Sequence, residues 1–508
     1  MNIDLVTCSQ SLGQTSLLVL GAYTDGTLTP SASILPEETL VRLSALVIAG
    51  ELRRHVGAQL QLFGLSAAVH RKILLVCLGS HGPLSESAYR TVLAATARTL
   101  AESLSRDAVV SLTEVDVAGR GVEWRIGEAA RLLADGAYRF VLPGRGATMP
   151  ADGTERTGVE CVALVVPRAV EAAHEAAARQ GLAVAEGLAL ARDLGNMPST
   201  VCTPTYLAET SRSIGSKFGL EVEVFEWGDL EKLGMGALLA VGHASARLIV
   251  VGYRSGPPAS RPIVLVGEGL TFNSAAARPR DTRFEMSGAG AVLGTLWAAA
   301  RLKLPLNLVG LVPAAECAAA PRPGCVVRAM SGETVEVRGT DAAGWLILCD
   351  ALSYAEHFEP ACVIDVATLT DPSTVAFGSQ ASCLFANDGP LAHELLTCGF
   401  ETGDRAWQLP LWDDGEPPAG ATSDSVAAAG ALMRFAGQTR WAHLDIGGTA
   451  TVHRHAAMQG NALAATGRPV PLLTTFLIHR AARTRNGEAA RVASTFSGSA
   501  PPLPTRSP

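Results

Sequence analysis

Hydrophobic positions along this chain fall into two alternating patterns. Short continuous apolar runs at 16–20, 73–78 and 108–112 are each followed by a stretch of helical periodicity, at 37–52, 88–103 and 121–138. A β-then-α alternation of this kind predicts helices packed on a largely parallel sheet. Strand-like runs at 139–142 and 159–166 close the region, with a Gly- and Pro-rich surface loop between them. A long Ala-rich helix then runs over about 169–194 and stops at Asn196-Met197-Pro198.

The second half is more apolar. Runs at 262–267, 306–312, 362–367 and 441–446 predict strands buried on both faces, and helical patterns at 288–302, 341–357 and 472–482 predict their cover. The fold class expected is α/β in two domains. A smaller N-terminal α/β domain spans 1–168 and a connecting helix 169–198. A larger C-terminal domain, 199–483, has a central, mostly parallel or mixed sheet flanked by helices, and a disordered tail covers 484–508. A ligand is expected near the carboxyl ends of the C-domain strands.

Composition removes several function classes. The 508 residues are 48% hydrophobic and 18% charged, and 41 basic against 48 acidic residues give a net charge of −7. No global positive field draws in nucleic acid or an anionic membrane. The start lacks the basic region of a secretory signal and no apolar run is long enough to span a bilayer, so the expected compartment is the cytoplasm. Ten cysteines form no C-x-x-C pair and read as reduced. Lysine is confined to Lys72, Lys217, Lys232 and Lys303.

The local motifs are mostly structural. Gly288, Gly290 and Gly294 lack a strand directly before them, so they read as small residues for tight helix-on-sheet packing rather than a dinucleotide fingerprint. There is no G-x-S-x-G elbow, H-E-x-x-H helix or P-loop. His453 and His455 read as part of a solvated loop, and His443 as a hydrogen-bonded core histidine.

The stretches 266–274, 285–294, 306–316, 330–337, 340–342, 363–370, 441–446 and 465–470 together resemble the cytosolic leucyl aminopeptidase family, over roughly 190–482. The resemblance implies two divalent metals, zinc or manganese, at the C-domain sheet edge, activating a water that attacks an N-terminal peptide bond. It also implies a homo-oligomer, commonly a hexamer. Two adjacent dications need bridging anionic oxygens to offset their repulsion.

This chain departs from the family at those positions. Where the family carries a lysine ligand and a bridging aspartate, it has Glu268 and Asn273; a second lysine is replaced by Arg278. A ligand aspartate matches Glu285, and Asp341 is kept. The second bridging carboxylate is Ala343, and the arginine supporting the transition state is Trp345. The first expectation is therefore a family member that has lost dimetal peptidase activity and has a structural, binding or regulatory role. The alternative is a repurposed enzyme in which Glu268, Glu285 and Asp341 perform acid–base or single-metal chemistry, with residual metal-dependent aminopeptidase activity as a third reading. Asn273, Arg278 and Trp345 are the candidate substrate-binding residues. No metal ligand is assigned and no cofactor is expected, although the carboxylates leave room for one divalent cation. The pocket suits a small molecule or peptide; neither membrane nor nucleic acid is an expected partner.

Overall fold

The computed structural model describes residues 1–7, 15–64, 72–142, 158–272, 282–317, 324–337, 343–369, 377–412, 425–456 and 460–496. The chain forms two compact units, Met1–Ala189 and Leu190–Pro508.

The first unit is built on a six-stranded sheet in the order Asn2–Thr7, Cys161–Val166, Asp107–Val110, Leu17–Tyr23, Lys72–Gly79, Gln59–Phe63. Every neighbouring pair is parallel except the last. Alternation along Leu17–Tyr23 feeds two cores: Leu17 and Val19 enter one, Leu18 and Leu20 the other. Both faces are thus buried, which is why this strand reads as an unbroken apolar run.

In the second unit the strand order is Ala406–Gln408, Ser382–Ala386, Trp441–Asp445, Cys362–Ala367, Ile263–Gly267, Asn307–Cys317, Arg247–Arg254, Glu221–Phe225, with Gly269–Phe272 pairing the far end of Asn307–Cys317. The four central strands, from Trp441–Asp445 to Asn307–Cys317, are mutually parallel, and antiparallel strands flank them on both sides. Val264 and Val266 share a core with helix Ala343–Ala355, whereas Gly310, on the alternate face, packs its Cα against Leu296 of helix Ser287–Arg301. The α/β class and the mixed, helix-flanked sheet are as the apolar pattern predicts.

Several elements differ from expectation. Residues 139–142 form no strand, and Arg139 instead donates its guanidinium to the carbonyl of Ala101. Strands Asn2–Thr7, Gln59–Phe63 and Arg247–Arg254 escape the apolar pattern. His453 and His455 lie on a hairpin, Thr451–Ala456 paired with Gly460–Ala465, not in a loop. Helix Val470–Phe496 continues beyond 483, where alanines and arginines are good helix formers, and residues 497–508 of the expected tail lie outside the described residues.

The described cysteines are all free. Cys161 and Cys325 are exposed and the other seven are buried. Burial pushes the thiols of Cys202, Cys383 and Cys398 up to about 12. Among the described residues, no helix is long and apolar enough to cross a membrane.

Candidate active site

The centre of the site is a break in one strand. Ile263–Gly267 and Gly269–Phe272 both pair with Asn307–Cys317, and Glu268 stands between them. Its backbone turns away from that ladder: the N–H donates to the Val366 carbonyl (3.0 Å), and its carbonyl accepts from Ala289 N–H (2.8 Å). Helix Ser287–Arg301 has no side-chain cap at its N-terminus, and the Glu268 carbonyl satisfies one of its free donors.

This close approach explains the glycines. A Cβ on Gly288 would strike the Val366 carbonyl oxygen and stand 2.7 Å from Glu268 N. Gly344, in the first turn of helix Ala343–Ala355, faces Glu268 Oε1 in the same way. Gly288 is therefore a packing residue, as its sequence context predicts.

The Glu268 side chain is 1% exposed. Its Oε2 accepts from both the backbone N–H (2.7 Å) and the hydroxyl (2.9 Å) of Thr368, just past the end of strand Cys362–Ala367. The same hydroxyl lies 3.1 Å from Glu285 Oε2. It also lies 3.3 Å from the Glu285 backbone carbonyl, and with a single hydrogen it donates to one of these oxygens at a time. Burial, and next the charge of Glu285, hold the Glu268 carboxyl well above the ordinary carboxylate range; Asp445 pushes in the same direction and the Thr368 hydrogen bonds oppose it. Glu285 and Thr368 are half-buried and form the solvent side of the arrangement.

Glu268 and Glu285 thus converge, as the resemblance implies. Ala343 is buried, and Trp345 is half-buried with its indole N–H donated to the Ala428 carbonyl (3.2 Å). Asn273, Arg278 and Asp341 lie outside the described residues. Thr368 and Asp445 are the residues that sequence reasoning missed. Thr368 follows strand Cys362–Ala367 and Asp445 ends the neighbouring strand Trp441–Asp445, and their position at the carboxyl edge of parallel strands is the signal that marks them.

A second polar cluster lies within the sheet. Asp365 accepts the Trp441 indole N–H (2.6 Å) and pairs with His443 Nδ1 (2.5 Å), with both Asp365 and His443 at most 1% exposed. His443 is the hydrogen-bonded core histidine that its strand position predicts. Among the described residues, no three His, Cys, Asp or Glu side chains are grouped to hold a metal ion.

The chain matches two family models: "Cytosol aminopeptidase family, catalytic domain" over residues 189–474, and the N-terminal domain of the same family over 19–141. It is 44% identical to a probable cytosol aminopeptidase of Azoarcus sp. (strain BH72), covering 95% of this chain and 99% of that protein. A probable cytosol aminopeptidase of Aromatoleum aromaticum is 43% identical, with coverage of 92% and 96%. Among solved structures, the bottromycin maturation enzyme BotP in complex with Mn superposes with a TM-score of 0.75 at 28% identity, covering 92% of this chain and all of that one (100%).

These relatives overturn the expectation of a non-catalytic structural or regulatory protein. Chains alike over nearly their whole length are named aminopeptidases, and the fold that carries the site is intact. The physical reason is that loss of the family's metal ligands was equated with loss of chemistry, although Glu268 and Glu285 both converge on the Thr368 hydroxyl. The alternative of an enzyme using these carboxyl groups is the reading that the relatives favour.

Proposed function

Since the chain belongs to the cytosol aminopeptidase family, we propose that it hydrolyses small peptides or related amides at their amino-terminal end, using Glu268 and Glu285 for proton transfer. The observation that carries this reading is the single Thr368 hydroxyl standing between the two carboxyl groups. Glu285, on the solvent side, takes a proton from water as the water oxygen adds to the carbonyl carbon. That proton passes to the amide nitrogen as the C–N bond breaks, so water is added across the amide and the pair returns to its starting state. Glu268, kept protonated behind Thr368, holds the pair at one negative charge, as in other carboxyl dyads. Asp341 belongs to the same set by the family resemblance.

The described residues do not by themselves supply a two-ion centre: Glu268 Oε2 is engaged by the Thr368 N–H and hydroxyl, and Ala343 has no side-chain oxygen, while Asn273, Arg278 and Asp341 lie outside the described residues. The carboxylates support one divalent cation at most, and no step here runs through it. The protein on this reading is cytoplasmic and a homo-oligomer, hexameric as the resemblance implies, without nucleic acid or membrane as partner.

The test is turnover of a leucyl-arylamide by the full chain, with chelator and with added manganese or zinc. Wild type is expected to turn over in chelator, with Glu285→Gln reduced about 10²-fold or more. Full activity in Glu285→Gln would refute the assignment.

A further inference from the structure

The carboxyl pair has an apolar neighbour that the mechanism does not use. Leu369 follows Thr368 directly, is half-buried, and places Cδ2 3.4 Å from where a Gly344 Cβ would stand. Trp345, the next residue along that helix, is fixed at two points. Its N–H is held by the Ala428 carbonyl at 3.2 Å, and its ring meets Phe435 edge-on, with centroids 5.7 Å apart and planes at 82°. Trp345 and Leu369 pack against the same core cluster. Thr368–Leu369 and Gly344–Trp345 thus each place one residue on the Glu268 carboxyl and the next in an apolar wall.

From this juxtaposition we propose that Trp345, backed by Leu369, is a specificity-determining residue that receives an aromatic side chain of the substrate. The inference rests on the hydrolase reading and deepens it. A pinned indole cannot rotate to accommodate a branched aliphatic group, but it offers a fixed π surface to a planar one. The charges acting on Glu268 from described side chains, Glu285 and Asp445, are both negative, so an acidic substrate side chain would meet repulsion at this wall. The site therefore selects phenylalanyl over leucyl substrates and rejects aspartyl ones.

Two measurements on the full-length protein test this. The first is the kcat/KM ratio of phenylalanyl- to leucyl-arylamide in wild type and in Trp345→Leu, which keeps apolar bulk without the ring. The second is calorimetric binding of phenylalaninamide against leucinamide to both proteins. A preference of about 3- to 10-fold for the phenyl group is expected in wild type, with the ratio falling to near one in Trp345→Leu. An unchanged ratio, or no aromatic preference in wild type, overturns the proposal while leaving hydrolysis intact. Preferential binding of phenylalaninamide that Trp345→Leu abolishes, in a protein without turnover, upholds the aromatic wall and refutes the hydrolase reading instead.

Discussion

The carboxyl group of Glu268 occupies the space in which a side chain on Gly344 would begin, so the first turn of helix Ala343–Ala355 is shaped around one buried acid. Gly344→Ala forces Glu268 away from Thr368. A displacement of this size at a catalytic group lowers turnover about 10²-fold. Steady-state kinetics on the leucyl-arylamide, with circular dichroism to confirm folding, checks it; wild-type kcat in the variant would contradict the packing argument.

Glu268 also makes stability depend on pH. Its folded-state proton affinity exceeds the unfolded one, so its contribution is complete below the ordinary value of 4.5 and is lost as pH rises through the raised folded value. Glu268→Gln is permanently neutral. Its melting temperature is expected to gain on wild type as the buffer goes from pH 4.5 to 8, and a constant difference across that range would argue against a protonated Glu268.

Asp350 is a second buried acid with a different task. Its two oxygens accept Leu238 N–H and Met330 N–H, each at 2.8 Å, joining helix Ala343–Ala355 to two backbone segments. Burial pushes the carboxyl from 3.8 up to about 6 against these hydrogen bonds. Stability from this group is complete below 3.8 and is lost as pH rises through about 6. Asp350→Ala strands the buried N–H groups and is expected to cost about 3 kcal/mol in urea unfolding.

Asp365 holds His443 and Trp441 together inside the sheet. Burial alone would lower the imidazole's proton affinity; the charge and hydrogen bond of Asp365 overcome it and raise the value above 6.5. The ion pair's stabilising contribution is thus complete below 6.5 and fades as pH climbs through the folded value. Asp365→Asn, which removes one partner of a buried pair, is expected to destabilise the protein by about 3–5 kcal/mol. Thermal melts measure this, and the imidazole resonances of His443 should then titrate at lower pH.

Sequence legibility followed burial. Ile263–Gly267 and Cys362–Ala367 are covered on both faces, so each is written as an unbroken apolar run. Gln59–Phe63 is an edge strand with partly exposed residues throughout, and its alternating glutamines hide it. In the site, Glu268 and Glu285 stood out by differing from a family pattern. Thr368 carries no charge and Asp445 differs from no family pattern, so only their place at the carboxyl edge of the parallel strands sets them apart. The expected loss of function failed for a related reason: a list of absent ligands contains no information about what the substituted side chains do to one another.

The unequal exposure of the cysteines also equips the molecule for a measurement. Cys161 and Cys325 are accessible and belong to different compact units, whereas burial keeps Cys202, Cys383 and Cys398 as unreactive thiols. With Cys8 replaced by serine, a maleimide dye on those native thiols gives each compact unit its own spectroscopic reporter, able to follow the unfolding of each unit separately without any engineered attachment point.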